Sequence, residues 1–157
     1  MDGTRSLTPA ALWLGYAGLL PQALCLALVL AGDQYAYNAL AGGFAYGAAI
    51  FSFLGGVWWG QAVSINAADR GAGAGAYLVA VMPSLLAVAL FLPWTFGWEW
   101  PGPALLYLGA LILLSPLVDR ALGYASRDFL RLRVHLSVGL GILTIALGLA
   151  AGQLVRA

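Results

Sequence analysis

Charged side chains are scarce in this sequence, and that scarcity indicates the solvent in which the chain folds. Asp, Glu, Lys and Arg together make up 8% of the 157 residues, whereas 62% are hydrophobic. A soluble domain carries about 25% charged residues, because a surface in contact with water has to be polar. This chain cannot cover its surface in that way. The sequence therefore predicts an integral membrane protein whose exterior faces lipid.

Other absences exclude several kinds of functional site. Cys25 is the single cysteine, so a disulfide within the chain and a multi-cysteine metal or iron–sulfur site are excluded. His135 is the single histidine and cannot form a bis-histidine haem site. The net charge is +1 without a basic run, and no nucleophile-elbow, zincin or P-loop motif occurs. We expect no cofactor, no metal and no nucleic-acid partner.

Apolar segments are the dominant feature of what is present. A helix needs about 20 apolar residues to cross the hydrocarbon core, and the shortest segment has interfacial tryptophans beside it that help it to span. The first segment is longer than the apolar region of a signal peptide, so we interpret it as a membrane helix. We predict an all-α membrane bundle of one domain, residues 1–157, with five transmembrane helices over residues 12–31, 37–63, 74–92, 103–118 and 134–155.

The arginines predict the orientation of this bundle. Lys is absent, and with five spans six of the seven arginines fall on the side of the N-terminus. Because cytoplasmic loops carry the excess of positive residues, we predict an N-in/C-out topology in a bacterial inner membrane. The N-terminal side holds Arg5, Arg70, Arg120, Arg127, Arg131 and Arg133, and the other side holds Arg156.

The second span carries a stripe of small residues at helical spacing. In lipid there is little hydrophobic drive between helices, so close backbone approach and van der Waals contact hold them together. We interpret the stripe as a packing face against a neighbouring span, with a dimer interface or a solute path as alternatives. Its residues are Ala45, Ala48, Ser52, Gly55, Gly56 and Gly60.

Two tryptophans and a glutamine, Trp58, Trp59 and Gln61, follow at the end of the same span. Paired tryptophans commonly anchor a helix at the membrane interface, and a platform for a flat ring such as a quinone is the alternative. In two other spans Pro21 and Pro83 each remove an N–H donor, which predicts kinks.

Polar residues collect at the predicted inner face. Opposite charges occur in adjacent pairs, and short loops bring the ends of four spans together, so we predict an ion-pair network at this face. A lipid-headgroup or protein docking site is the alternative. We expect His135 to be a hydrogen-bonded packing or interface residue. The network comprises Asp69, Arg70, Asp119, Arg120, Arg127, Asp128, Arg131, Arg133 and His135.

The segments together resemble one known family. The resemblance rests on five motifs: Leu14 to Pro21, the Phe-Ser-Phe-Leu-Gly-Gly-Val-Trp-Trp-Gly block that ends at Gly60, Pro83-Ser84, Asp119-Arg120 and Leu130 to Arg133. This order is similar to the domain of unknown function 3429 family, which includes bacterial inner-membrane proteins and a eukaryotic relative, transmembrane protein 69. The resemblance implies a small multi-pass membrane protein and implies no activity.

Intramembrane charge is missing from the middle of every predicted span. Such a charge costs on the order of 3 kcal/mol on insertion and is retained mainly for function, so we expect neither an enzyme nor ion-coupled transport. We predict a non-enzymatic accessory or assembly factor that packs against a larger membrane complex. The alternative is a passive pore or carrier for a small neutral solute or lipid, which requires a continuous cavity lined by Tyr46, Ser52, Trp59 and Gln61. An intramembrane enzyme would require His135 to meet Asp119 or Asp69 in one pocket.

Overall fold

Six α-helices account for most of the chain in the computed structural model, which describes residues 8–32, 34–67, 71–98 and 101–154. No strand occurs within these ranges. Five stretches are long and apolar enough to cross a membrane, as the hydropathy pattern predicts. The helices are α1 (Pro9–Ala17), α2 (Leu20–Leu30), α3 (Ala36–Ala67), α4 (Ala74–Thr95), α5 (Gly102–Leu122) and α6 (Arg127–Leu154).

The first span is divided into α1 and α2 at Gly18 and Leu19. Pro21 has no N–H to offer the carbonyl of Ala17, and its ring crowds that carbonyl, so the helix cannot continue regularly there. The Tyr46 hydroxyl of α3 donates to the carbonyl of Gly18. The kink is therefore held in place by the second span. Helix α4, in contrast, continues through Pro83.

Helices α5 and α6 pack against each other through glycines. A Cβ added at Gly109 would lie 2.9 Å from the carbonyl oxygen of Gly141, and one added at Gly141 would lie 3.0 Å from that of Gly109. Near the start of α5 and the end of α6, a Cβ added at Gly148 would lie 3.0 Å from the carbonyl oxygen of Gly102. Close backbone approach of this kind is the usual way in which membrane helices associate.

Helices α3 and α4 meet at one position of the small-residue stripe. A Cβ added at Gly55 would collide with the carbonyl oxygen of Ala80 and would lie 3.2 Å from the ring of Pro83. Pro83 is buried in this contact. The flat proline ring and the bare glycine backbone therefore fit together at the α3–α4 crossing.

The α5 and α6 helices extend beyond the predicted spans. Helix α5 continues past Val118 to Leu122, where Gly123 ends it in the left-handed conformation (φ 69°), a common helix C-terminus. Helix α6 begins at Arg127, seven residues before the predicted start at Val134. The sequence prediction ended both spans at charged residues, but two of these charges, Asp119 and Arg133, are buried together inside the bundle.

The exterior of the bundle is apolar and its interior holds several polar groups. Large apolar side chains such as Leu78, Leu114 and Ile142 are more than half exposed, which is the arrangement that a lipid solvent requires. The interior combines aliphatic side chains with buried Gln22 and Thr144. The largest buried aliphatic residues are Leu40, Leu105, Leu108, Ile112 and Leu147.

Candidate functional site

A buried cluster of three side chains links the second, fourth and fifth spans. Arg133 donates from Nε and Nη2 to Oδ2 of Asp119, at 3.0 Å and 2.9 Å. Trp58 donates from Nε1 to Oδ1 of the same carboxylate at 2.7 Å. Both carboxylate oxygens of Asp119 are therefore occupied by donors from other helices.

Local structure explains how these three residues meet. Asp119 lies on the last turn of α5 and Arg133 on the second turn of α6, so the short connection between the helices brings the two residues to the same level. Asp119 is 1% exposed and Arg133 is 7% exposed. A lone charge at such a position is costly in a membrane, and a charge there is normally paired. The cluster is a neutral ion pair that Trp58 completes.

A second polar contact lies one turn deeper along the same seam. The hydroxyls of Ser115 and Ser137 are 3.1 Å apart, and Ser115 also donates to the carbonyl of Ile112 at 2.8 Å. Ser115 precedes Asp119 by four residues and Ser137 follows Arg133 by four, so each pair lies on one helix face. The seam between α5 and α6 is thus polar over two turns.

A third polar contact lies further along α6. Gln22 of α2 donates from Nε2 to the Thr144 hydroxyl at 3.1 Å, and that hydroxyl donates to the carbonyl of Leu140 at 2.7 Å. Gln22 is fully buried, and its Oε1 has no hydrogen-bond partner among the residues that the structure describes. The contact joins the first span to the fifth in the middle of the bundle.

The other predicted inner-face residues that the structure describes lie on the surface. Arg120, Arg127 and Arg131 are exposed, and Arg131 makes a long ion pair of 3.9 Å with the exposed Asp128. His135 is also exposed, with its Nδ1 3.1 Å from the Tyr16 hydroxyl. The predicted residues Asp69 and Arg70 lie outside the described part of the chain. Within that part, the structure joins Asp119 to Arg133 and Asp128 to Arg131 but does not bring His135 to Asp119.

The two tryptophans of the second span point in different directions. Trp58 is 3% exposed and belongs to the buried cluster, whereas Trp59 is 46% exposed and meets Tyr77 of α4 edge-on, with ring centroids 4.9 Å apart. Gln61 is half-buried. Tyr77 also accepts a hydrogen bond of 2.6 Å from Nδ2 of Asn66. Trp59 is thus exposed and stays a predicted interface anchor, whereas Trp58 is buried against Asp119.

The residues of the small-residue stripe of α3 have two kinds of surroundings. Gly55 is buried against α4, and Ala45, Ala48 and Ser52 line a groove of about 640 Å³ between α3 and α4. Ala45, Gly56 and Gly60 are exposed. A Cβ added at Gly56 or Gly60 would have no atom within 4 Å. Only one edge of the stripe therefore packs inside the described part of this chain, and the rest forms an open face.

A separate cleft lies on the other side of α3. It has a volume of about 370 Å³ and is bounded by α1, the Gly18–Leu19 connection, α3, α6 and Ile112 of α5. Its walls are apolar except for Arg133, Ser137 and the Tyr46 hydroxyl. Tyr46 and Ser52 therefore line different cavities, and Trp59 and Gln61 line neither of these two.

The chemistry available to the described residues is limited. They contain no group of three or more His, Cys, Asp or Glu side chains that could hold a metal ion. Cys25 is a half-buried free thiol. Hydrogen bonds between helices are made by the buried side chains of Trp58, Asp119, Arg133, Ser115, Ser137, Gln22 and Thr144.

Sequence reasoning missed the partners of Trp58 and Gln22 and the glycine contacts between α5 and α6. The signal for the ion pair was present in part, because Asp119 and Arg133 are 14 residues apart on either side of a single short connection. No comparable signal marks Trp58 or Gln22, since their partners lie 61 and 122 residues away along the chain.

Comparison with known proteins gives one match. A family model described as a protein of unknown function (DUF3429) matches residues 7–150. No curated protein and no solved structure matches the chain.

Proposed function

Because the chain belongs to the DUF3429 family of proteins of unknown function, we propose its role from its geometry: it is a non-enzymatic accessory or assembly factor of a bacterial inner membrane. In this role the outward face of α3 packs against a helix of another membrane protein. The open small-residue face carries the proposal. It runs from Ala45 through Ser52 and Gly56 to Gly60, about 22 Å along the helix.

The physical reason for this proposal is that an open face of small residues is unusual on a helix surface that contacts only lipid. Large apolar side chains occupy many of the other exposed positions, as at Leu78 and Leu114. Small residues expose backbone and permit a second helix to approach closely, which is the main source of affinity between helices in lipid. The neighbouring α3–α4 groove adds depth to the same side of the bundle, and Ser84 and Ala87 form its opposite wall.

The test uses positions where a larger side chain leaves the bundle itself undisturbed. Gly56→Leu and Gly60→Leu point into open space, and so does the control Gly75→Leu at the start of α4. We expect the wild-type chain and the control to migrate with one defined larger complex on native gels from mild detergent. We expect the two stripe variants to migrate alone.

Reciprocal purification through the identified partner completes this experiment. Recovery of the wild-type chain through that partner, with loss of recovery for Gly56→Leu, supports the proposal. A wild-type chain that is always recovered alone, or only as a homodimer, contradicts it. Retention of the partner by both stripe variants also contradicts it, because the proposed face would then be unused.

The pore or carrier remains the second prediction. It requires one continuous path lined by Tyr46, Ser52, Trp59 and Gln61, and the cleft and the groove lie on different sides of α3. Nothing in their arrangement favours this function over packing.

A further inference from the structure

The cleft formed by α1, the Gly18–Leu19 connection, α3, α6 and Ile112 of α5 has a charged group near one end and a largely apolar lining. Arg133 lies toward one end, next to Phe129 and Leu132, and Ser137 lies one turn deeper on the same helix. Apart from these two side chains and the Tyr46 hydroxyl, the walls are apolar, with aliphatic side chains such as Leu19, Ile50 and Leu140. Its volume of about 370 Å³ falls within the range of small-molecule sites, which is roughly 300–1,000 Å³.

Arg133 has hydrogen-bonding capacity to spare at this end. Its Nε and Nη2 donate to Asp119, and among the described residues no acceptor contacts Nη1. A guanidinium offers five N–H donors. Among the described residues Gln22 Oε1 is the fully buried side-chain atom without a partner, so Nη1 of Arg133 retains some accessible surface and can meet an acceptor from outside the chain. The charge of Arg133 is already balanced by Asp119, so the group that suits the remaining donor is a neutral acceptor and not a second anion.

The position of Arg133 along α6 suggests the depth of that acceptor. Arg133 lies six residues inside the start of the helix, which is about 9 Å along its axis. This places it below the exposed Arg127 and Asp128 at the helix start, at the edge of the hydrocarbon region. The ester carbonyls of a phospholipid lie at this depth, between the phosphate and the acyl chains.

The length of the cleft fits the chain of such a lipid. From Arg133 to Leu140 the α6 wall extends about 10 Å toward the middle of the bundle, and half of the hydrocarbon core measures about 15 Å. The cleft also opens sideways, since Leu14 and Phe53 on its rim are 74% and 65% exposed. A lipid of the surrounding leaflet can therefore enter without crossing the bundle.

The kink of the first span creates this opening. Helix α1 has no buried residue, whereas α2 buries Gln22 and Val29. The hydrogen bond from Tyr46 to the carbonyl of Gly18 fixes the point where α1 departs from α3. The opening is thus built into the fold by Pro21 and Tyr46.

We propose that this cleft binds one acyl chain of a membrane phospholipid, with an ester carbonyl of that lipid accepting a hydrogen bond from Arg133. The site lies in the leaflet on the Arg133 side of the membrane. It is independent of the α3 face proposed above, because the cleft and the groove do not share a wall residue.

The first test locates the bound lipid. The full-length protein is placed in phosphatidylethanolamine and phosphatidylglycerol vesicles that contain a phosphatidylglycerol with a diazirine in one acyl chain. After illumination, cross-linked peptides are mapped by mass spectrometry. We expect cross-links concentrated at least fivefold on Leu19, Ile50 and Leu136 relative to the exposed lipid-facing residues Leu114 and Ile142. Cross-links spread evenly over these positions would overturn the proposal.

The second test measures retention of lipid by native mass spectrometry after detergent purification. Ile50→Trp adds bulk to the cleft at a wall residue on α3 and leaves Arg133 itself unchanged, and Leu114→Trp adds the same ring to an exposed surface of α5. We expect the lipid-bound fraction to fall at least fivefold in Ile50→Trp and to stay unchanged in Leu114→Trp. Arg133→Lys, which keeps the charge but loses the planar fork of donors, should lower it about threefold.

The remaining outcomes also decide the proposal. Retention of a free fatty acid, a quinone or detergent in place of phospholipid contradicts it, as does equal retention by Ile50→Trp and the control. Circular dichroism checks that each variant is helical. If Ile50→Trp fails to fold, the cross-link positions in the wild-type protein decide the matter alone.

Discussion

At the scale of single residues, the Asp119 carboxylate accepts hydrogen bonds from side chains of two other helices. It balances the charge of Arg133 and accepts the indole N–H of Trp58, so three spans depend on one side chain. Removing one partner of a buried ion pair leaves the other charge uncompensated, and this costs more than the pair contributes when both members are present.

We therefore predict that Asp119→Asn destabilises the protein by about 3–5 kcal/mol, measured by denaturant unfolding in micelles followed by circular dichroism. The double variant Asp119→Asn with Arg133→Gln should recover part of this loss, because it leaves no unpaired charge.

The matched control is Asp128→Asn, which breaks the pair with Arg131. The side chains of that pair are 80% and 51% exposed for Arg131 and Asp128, so we expect a change within about 1 kcal/mol. An Asp119→Asn variant as stable as this control would show that the buried pair is dispensable.

At the scale of helices, contact depends on which glycines face a neighbour. Gly55 and Gly56 are adjacent in the sequence, yet Gly55 touches the backbone of α4 and Gly56 faces open space. The same difference occurs on α6, where Gly141 touches α5 and a Cβ at Gly152 would meet nothing. A neighbour's backbone cannot move aside as a flexible side chain can.

We predict that Gly55→Ala destabilises the bundle by about 1–3 kcal/mol, since overpacking forces α4 away from α3. Gly56→Ala should be neutral or slightly stabilising, because alanine favours the helix. Thermal unfolding of both variants in the same detergent gives the comparison. Equal stability of the two would contradict the α3–α4 contact described here.

At the scale of the whole molecule, five spans place the two ends of the chain on opposite sides of the membrane. Helices α3 and α5 end, and α4 and α6 begin, on the side where α1 begins. The exposed arginines Arg120, Arg127 and Arg131 lie at this end. Because positive residues are retained in the cytoplasm, the chain should insert with this end inside.

Reporter fusions to the C-terminus test this orientation in cells. We predict that a C-terminal alkaline phosphatase, which is active only outside the cytoplasm, is active, and that a C-terminal green fluorescent protein exported by the same route is dark. Replacing Arg120, Arg127 and Arg131 with Gln should weaken the preference. A fluorescent and phosphatase-negative C-terminus would establish the opposite orientation.

The sequence by itself determined the class of the protein and the number of its spans. Hydropathy is a property of each segment alone, and a helix that must cross lipid has to be long and apolar whatever its neighbours are. The same reasoning placed span limits beside Asp119 and Arg133, whereas the helices α5 and α6 continue through these residues. A charge can lie inside when its partner arrives from another helix.

Only the tertiary structure decided which faces are inside. In a soluble helix the apolar side faces the core, but here both sides are apolar, so periodicity does not distinguish a lipid-facing residue from a packed one. For that reason Gly55 could not be separated from Gly56, nor Trp58 from Trp59. Their surroundings depend on residues far away in the chain, and no local pattern encodes such contacts.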